Sequence, residues 1–157
     1  MIIRFTKSKD GKEPVLSCIR DDGSVTWQKS SEFFVRHDLI HYAVETILEY
    51  RQAFLGLVAG GKSLDDFGTR NGVKDTYTDE ERWAELIVSA LQIPSVAAAP
   101  GLTEAEVIES VANACRENQK PLPEITAVQI TAIRERIREL HSQWSHLPQG
   151  ESMELSF

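Results

Sequence analysis

The stretch from Ser31 to about Ala59 constrains the fold more than any other part of the chain. Placed on a wheel at about 100° per residue, Phe33, Ile40, Val44, Leu48, Leu55 and Val58 form one apolar face, with His37 inside it. Leu39, Tyr42, Ala43, Tyr50, Ala53 and Leu57 make most of the opposite side apolar too. A helix that is apolar nearly all round lies at the centre of a core or under a partner. The rest of the chain must therefore wrap it. One polar arc is left, holding Asp38, His41, Glu45, Glu49 and Gln52, and it faces either solvent or an internal site. Gly60-Gly61 supplies the stop.

The flanking segments divide cleanly. Ile2, Ile3 and Phe5, then Val15, Leu16 and Ile19, then Val25 and Trp27 are short β-prone runs. The turns Lys9-Asp10-Gly11-Lys12 and Asp21-Asp22-Gly23-Ser24 separate them, which predicts a hairpin or three-stranded meander over residues 1–30. Such a sheet is marginal alone and must pack on helices. Beyond the first helix, Thr78-Asp79-Glu80-Glu81 and Thr103-Glu104-Ala105-Glu106 read as capping boxes that open two more helices. The first carries Trp83, Leu86, Ile87, Ala90 and Leu91 and stops at Pro94; the second buries Val107, Ile108, Val111 and Cys115. After Pro121-Leu122-Pro123, Ile130, Ile133, Ile137, Leu140, Trp144 and Leu147 alternate three and four apart, a heptad-like seam suited to a bundle. The expected fold class is α+β, mostly α: an N-terminal antiparallel β-meander of 2–3 strands packed on about four helices. It forms a single domain over residues 1–148 (β-meander 1–30, helical 31–148), with 149–157 as a loose C-terminal tail.

A chain of 157 residues, 41% hydrophobic and 26% charged, is an ordinary globular composition long enough to bury a core without disulfide or metal. Its formal net charge of -7 argues against nucleic acid and anionic membrane surfaces as partners. No secretory leader pattern follows Met1, and the apolar run from Leu86 to Pro100 is too short for a bilayer. Cys18 and Cys115 form no CxxC pair and read as reduced thiols. A cytoplasmic protein is expected.

His37, His41, Glu45 and Glu49 stand four apart, so they stack along one side of the helix with a drift of roughly 40° per step. Neutral imidazoles at i and i+4 reach one divalent ion from the same face. Two nitrogens and a carboxylate from His37, His41 and Glu45 make a ligand set for zinc, iron or manganese. Asp38 is the candidate catalytic base, or an acceptor behind a ligand. Further ligands are available from Glu81 or Glu85, Asp65 or Asp66, and His141 or His146. The plain alternative is a core histidine at His37 and a solvated stripe over His41, Glu45 and Glu49. On that reading His37→Ala costs more stability than His41→Ala.

The pentad His37-Asp38-Leu39-Ile40-His41 resembles the H-E-x-x-H of zinc metallopeptidases over five residues, with Asp38 where the general-base Glu stands. Asp is one methylene shorter and would need a closer approach to a bound water. The His37-Asp38 doublet also resembles the core of the HD phosphohydrolases, with Asp65 or Asp66 as the later Asp, although no His precedes His37. Phe34 through Gly60 as a whole is similar to a segment of uncharacterised bacterial proteins carrying a His-Asp-Leu-x-His-Tyr helix. That resemblance implies a bacterial soluble protein and no activity.

Gly56-Leu57-Val58-Ala59-Gly60-Gly61-Lys62-Ser63 matches G-x-x-x-x-G-K-[ST], but a phosphate loop follows a buried strand and opens a long helix. Here an apolar helix precedes it, so nucleotide binding is the remote reading and a helix C-terminus the simpler one. Arg134, Arg136 and Arg138 interleave with Glu135 and Glu139 as a charged helix face. Trp27, Trp83 and Trp144 are expected in the core or at an interface. Two functional classes follow. The favoured one is a helical interaction or scaffold module, a homodimer or the partner of another protein through the first or last helix. The alternative is a metal-binding protein, with hydrolysis as the chemistry to look for.

Overall fold

The structure is a computed structural model and describes residues 1–67, 77–92 and 101–157. Four strands form one antiparallel sheet: β1 (Ile2–Thr6), β2 (Val15–Ile19), β3 (Val25–Lys29) and β4 (Ser152–Ser156), in the order β3-β2-β1-β4. Period-two alternation sends Ile3, Phe5, Leu16, Cys18, Met153 and Leu155 into the core. The Asp22-Gly23 turn forms as expected, with Gly23 at φ +84° and the Asp22 carboxylate accepting from the Ser24 amide.

The expected meander is present, and the fold is α+β with helix dominant, but the tail is not loose. Ser152–Ser156 pairs along the whole of β1, with Arg4 opposite Glu154 and Thr6 opposite Ser152. Arg4 Nε donates to Glu154 at 2.7 Å, and the Thr6 and Ser152 hydroxyls meet at 2.8 Å. The edge of β1 that β2 leaves unpaired is thereby satisfied by a segment about 150 residues away.

The helical half departs from expectation at one point. The segment from Ser31 to Ala59 is two helices, α1 (Glu32–Ile47) and α2 (Phe54–Ala59). Leu48 caps α1, Glu49 takes φ +57°, and the Tyr50 amide closes back on the Glu45 carbonyl at 2.9 Å. That is the left-handed helix terminus usually built on Gly. Here Glu49 occupies the strained position while Tyr50 buries its ring. The remaining helices are α3 (Asp79–Gln92), α4 (Glu104–Glu117) and α5 (Ala127–His146). Both predicted capping boxes form: Thr78 with Glu81, and Thr103 with Glu106. A third, Thr126 with Gln129, opens α5. Pro94, expected to end α3, and Gly68, Asn71 and Gly72 of the expected loop lie outside the described residues.

α1 packs against both α3 and α5, and the Tyr42 hydroxyl reaches the β4 backbone at Ser156. Most of its apolar surface is therefore covered by its own chain, while Phe33 and Phe34 in its first turn stay 60% and 55% exposed. The α5 seam faces inward through Ile130, Ile133, Leu140 and Trp144. Trp144 is fully buried, edge-on to Phe5 and donating to Glu32 at 2.7 Å, which ties α5 to both sheet and α1. Trp27 is not in the core; it stands 60% exposed on the outer sheet face.

If β4 closes the core, Leu155→Ala costs about 2–4 kcal/mol, the range for a buried Leu truncation. A loose tail would show no change. Urea denaturation of the two proteins separates these outcomes.

Candidate metal centre

The site grows from α1. Four residues advance a helix by about 6 Å, so His37 and His41 stack in successive turns, and their Nε2 atoms lie 3.2 Å apart. Each ring is held from behind at Nδ1. His37 Nδ1 is 2.8 Å from Gln92 Oε1 on α3, and His41 Nδ1 is 3.3 Å from Glu45 Oε1. Glu85, about two turns before Gln92 on the same face of α3, brings its carboxylate 3.5 Å from His41 Nε2. His37, His41 and Glu85 thus converge, one donor atom each, within 4.8 Å.

The register of α3 against α1 sets this convergence. Glu80 accepts from the Arg51 and Gln52 amides in the linker after α1, and the Thr78 hydroxyl donates to the Gln52 carbonyl at 2.6 Å. The start of α3 is therefore pinned to the chain leaving α1, and Glu85 and Gln92 follow along the same helix.

The sequence set His37, His41 and Glu45 is only partly assembled. Glu45 sits on the Nδ1 side of His41, facing away from the two Nε2 atoms, and Glu85 takes the place expected of it. Glu45 orients instead. Its Oε2 accepts from the Leu55 and Gly56 amides at 2.9 and 3.2 Å, capping α2, whose own N-cap residue Ala53 offers no side-chain acceptor. Gly56 is required there, because a Cβ would fall 2.3 Å from the Arg51 carbonyl oxygen.

Burial also reverses the expectation for the two histidines. His41 is 2% exposed and His37 half-buried, since the break after Ile47 lets α2 fold back over the side of α1 that carries His41 and Glu45. Three residues of the polar arc are thus internal, Asp38, His41 and Glu45 at 6%, 2% and 0% exposed, while Glu49 and Gln52 stay at the surface. Desolvation holds both imidazoles below the ordinary histidine range, so they are neutral and able to ligate at neutral pH. Burial pushes the Glu45 carboxyl up to about 8 against the pull of its two backbone donors. It pushes Asp38 up to about 8 as well, with Glu85 and Glu45 adding to the effect.

His37, Asp38, His41 and Glu85 line a cavity of about 570 Å³. Asp38, the sequence candidate for a base, bonds to neither imidazole; its Oδ2 is enclosed without a hydrogen-bond partner. Among the other candidates, Glu81 completes its capping box and Asp66 accepts from the Ser63 amide. His141 bonds the Arg36 carbonyl and His146 the Ser142 carbonyl, both on α5 and outside the cluster. Glu49 serves the helix terminus.

The Gly56–Ser63 stretch offers no phosphate cradle. The Gly60, Gly61 and Lys62 amides close back on α2 carbonyls, and Arg20 donates to the Val58 and Lys62 carbonyls. No protein-family model matches the chain, and neither do curated proteins nor solved structures.

Two outcomes follow for the metal-free protein. His41→Ala costs about 2–3 kcal/mol and His37→Ala less than about 1, by the cavity and the orphaned Glu45 that only the former leaves; thermal melts compare them. Asp38 has its folded value raised, so its contribution is complete below pH ~4 and lost as pH rises to about 8. Asp38→Asn does not titrate, so it gains on the native protein by on the order of 2–5 kcal/mol across that window. Parallel urea titrations at pH 4.5 and 8.5 check this.

Proposed function

We propose that the chain is a divalent-metal-binding protein whose ion is held by His37, His41 and Glu85 at the wall of the cavity. One observation carries this reading: two imidazoles, each facing a side-chain oxygen at Nδ1, present their Nε2 atoms to each other at 3.2 Å. Two nitrogens bound to one tetrahedral zinc at about 2.0–2.1 Å lie about 3.3 Å apart. The acceptors behind the rings are the arrangement that fixes tautomer and orientation in metal sites. Glu85 must close in, because two ligands of one ion are separated by at most about 4.2 Å. Its side chain is 51% exposed and free to rotate.

Three protein ligands beside a cavity leave coordination positions for water or substrate, the pattern of a zinc hydrolase or, with iron, of a two-histidine-one-carboxylate centre. Hydrolysis is the first chemistry to screen, with Asp38 as the nearby carboxyl in the cavity wall. The two buried free cysteines fit a reducing compartment such as the cytoplasm.

Zinc, manganese and iron(II) are titrated calorimetrically into the chelator-treated protein. One site per chain is expected, abolished by His41→Ala and by His37→Ala. Glu45→Leu, which removes the acceptor behind His41, weakens it about 10–100-fold, and Glu45→Gln, which keeps an acceptor and loses the charge, weakens it less. No binding of any of the three ions would sink the reading.

A partner-binding role, as homodimer or with another protein, is the second reading. Its warrant moves from the first and last helices, whose apolar faces the chain itself largely covers, to the outer sheet face. Val25 and Trp27 of β3 are exposed there beside Ile19 and Ile2 of the neighbouring strands. No described helix is long and apolar enough to cross a membrane.

A further inference from the structure

The wall that continues outward from the two imidazoles is aromatic. Phe54 meets His41 edge-on at 5.4 Å between ring centroids, and Phe67 meets Phe54 edge-on at 4.9 Å. On the other side, Phe34 meets His37 edge-on at 6.3 Å. All three phenylalanines line the metal-side cavity, and Tyr77 joins them. Phe34 and Tyr77 leave 55% and 48% of their surface uncovered. Large aromatic residues gathered at a concave site, with their surface uncovered, mark a place where a ring binds. A cavity of about 570 Å³ suits a small molecule.

The polar part of the wall is equally specific. Asp38 is almost wholly buried, lines the cavity, and holds one oxygen with no hydrogen-bond partner among the described residues. An enclosed polar atom left unpaired is costly, and a ligand that pairs with it recovers that cost. Asp38 lines the cavity beside His37 and His41, so its carboxyl group is within the reach of a donor bound there.

We propose that this cavity binds small aryl acyl compounds of the amide or hydroxamate type. The carbonyl oxygen turns to the metal, the ring lies among Phe34, Phe54, Phe67 and Tyr77, and the N–H points to Asp38. This rests on the metal reading above, because the carbonyl needs the ion as its anchor.

The test uses the full chain loaded with zinc, and benzohydroxamate and acetohydroxamate as probes. The two share the chelating group and the N–H and differ in the ring. Calorimetry is expected to show benzohydroxamate binding at least tenfold more tightly. Phe34→Ala and Tyr77→Ala, both at exposed positions, should erode that preference with zinc stoichiometry unchanged. Asp38→Leu should weaken both probes about tenfold, while Asp38→Asn, whose carbonyl still accepts an N–H, retains most of the affinity. Zinc bound with equal affinity for the two probes, or with neither binding, overturns this inference and leaves the metal reading intact. So does a zinc-loaded Asp38→Leu that binds as the native chain does. Failure to bind zinc overturns this inference, and failure to bind manganese and iron(II) as well overturns the metal reading.

Discussion

The Glu45 carboxylate is the junction on which the rest of the structure turns. One oxygen faces His41 Nδ1, and the other takes two amides at the start of α2. A six-residue helix is too short to be stable by itself, and α2 has no side-chain cap of its own. Glu45 supplies the cap from the preceding helix and so fixes where the chain folds back. That fold-back covers His41, brings Phe54 against its ring, and places Gly56 in a contact with Arg51 that admits no Cβ. Orientation of the candidate ligand and closure of the helical turn are thus one set of hydrogen bonds.

A second constraint acts from α3. Its first turn is bound to the linker after α1 through Glu80 and Thr78, and its last turn touches His37 through Gln92. Glu85 lies between these two attachments. The pair α1–α3 is therefore held at both ends around the cluster, whereas the cavity side is shaped by lighter structure. There Thr26 accepts the Leu64 amide and meets the Ser63 hydroxyl, which fastens the 3-10 turn Leu64–Phe67 to β3 and positions Phe67. The α1–α3 side carries the two imidazoles and Glu85, and the facing side carries Phe54 and Phe67.

Much of this was legible in the residues. Capping boxes at Thr78 and Thr103 are local patterns, as are the α5 seam and the Asp22-Gly23 turn, and local patterns survive folding. The i, i+4 spacing of His37 and His41 likewise indicated that their rings meet, and their Nε2 atoms lie 3.2 Å apart. Three features were not legible, for physical reasons. β4 depends on a partner strand about 150 residues away, and Ser-Met-Glu-Leu-Ser is too short and polar to declare itself. The end of α1 uses Glu49 at a positive φ where Gly is the usual signal. With that break unseen, the wheel continued through α2, so His37 was placed in the apolar face and His41 outside it. Glu85 was one of several carboxylates, and only the register of α3 distinguishes it from Glu81 one turn earlier.

The cost of the polar row bears on what it is for. Asp38, His41 and Glu45 sit inside a single small core, each with its charged form disfavoured by burial. Apolar side chains of similar volume at such positions commonly leave a protein as stable or more so. One proton arrangement satisfies most of the row without an ion: Glu45 donates to His41 Nδ1, His41 Nε2 to His37 Nε2, and His37 Nδ1 to Gln92. Even this leaves Asp38 Oδ2 unpaired. A divalent ion between the Nε2 atoms replaces one shared proton with bonds to both nitrogens, and a negative Glu45 then becomes the better partner for His41 Nδ1. The row is a strained compromise as a core and a coherent set as a binding centre, and departures from apolar packing concentrate where a fold does its chemistry.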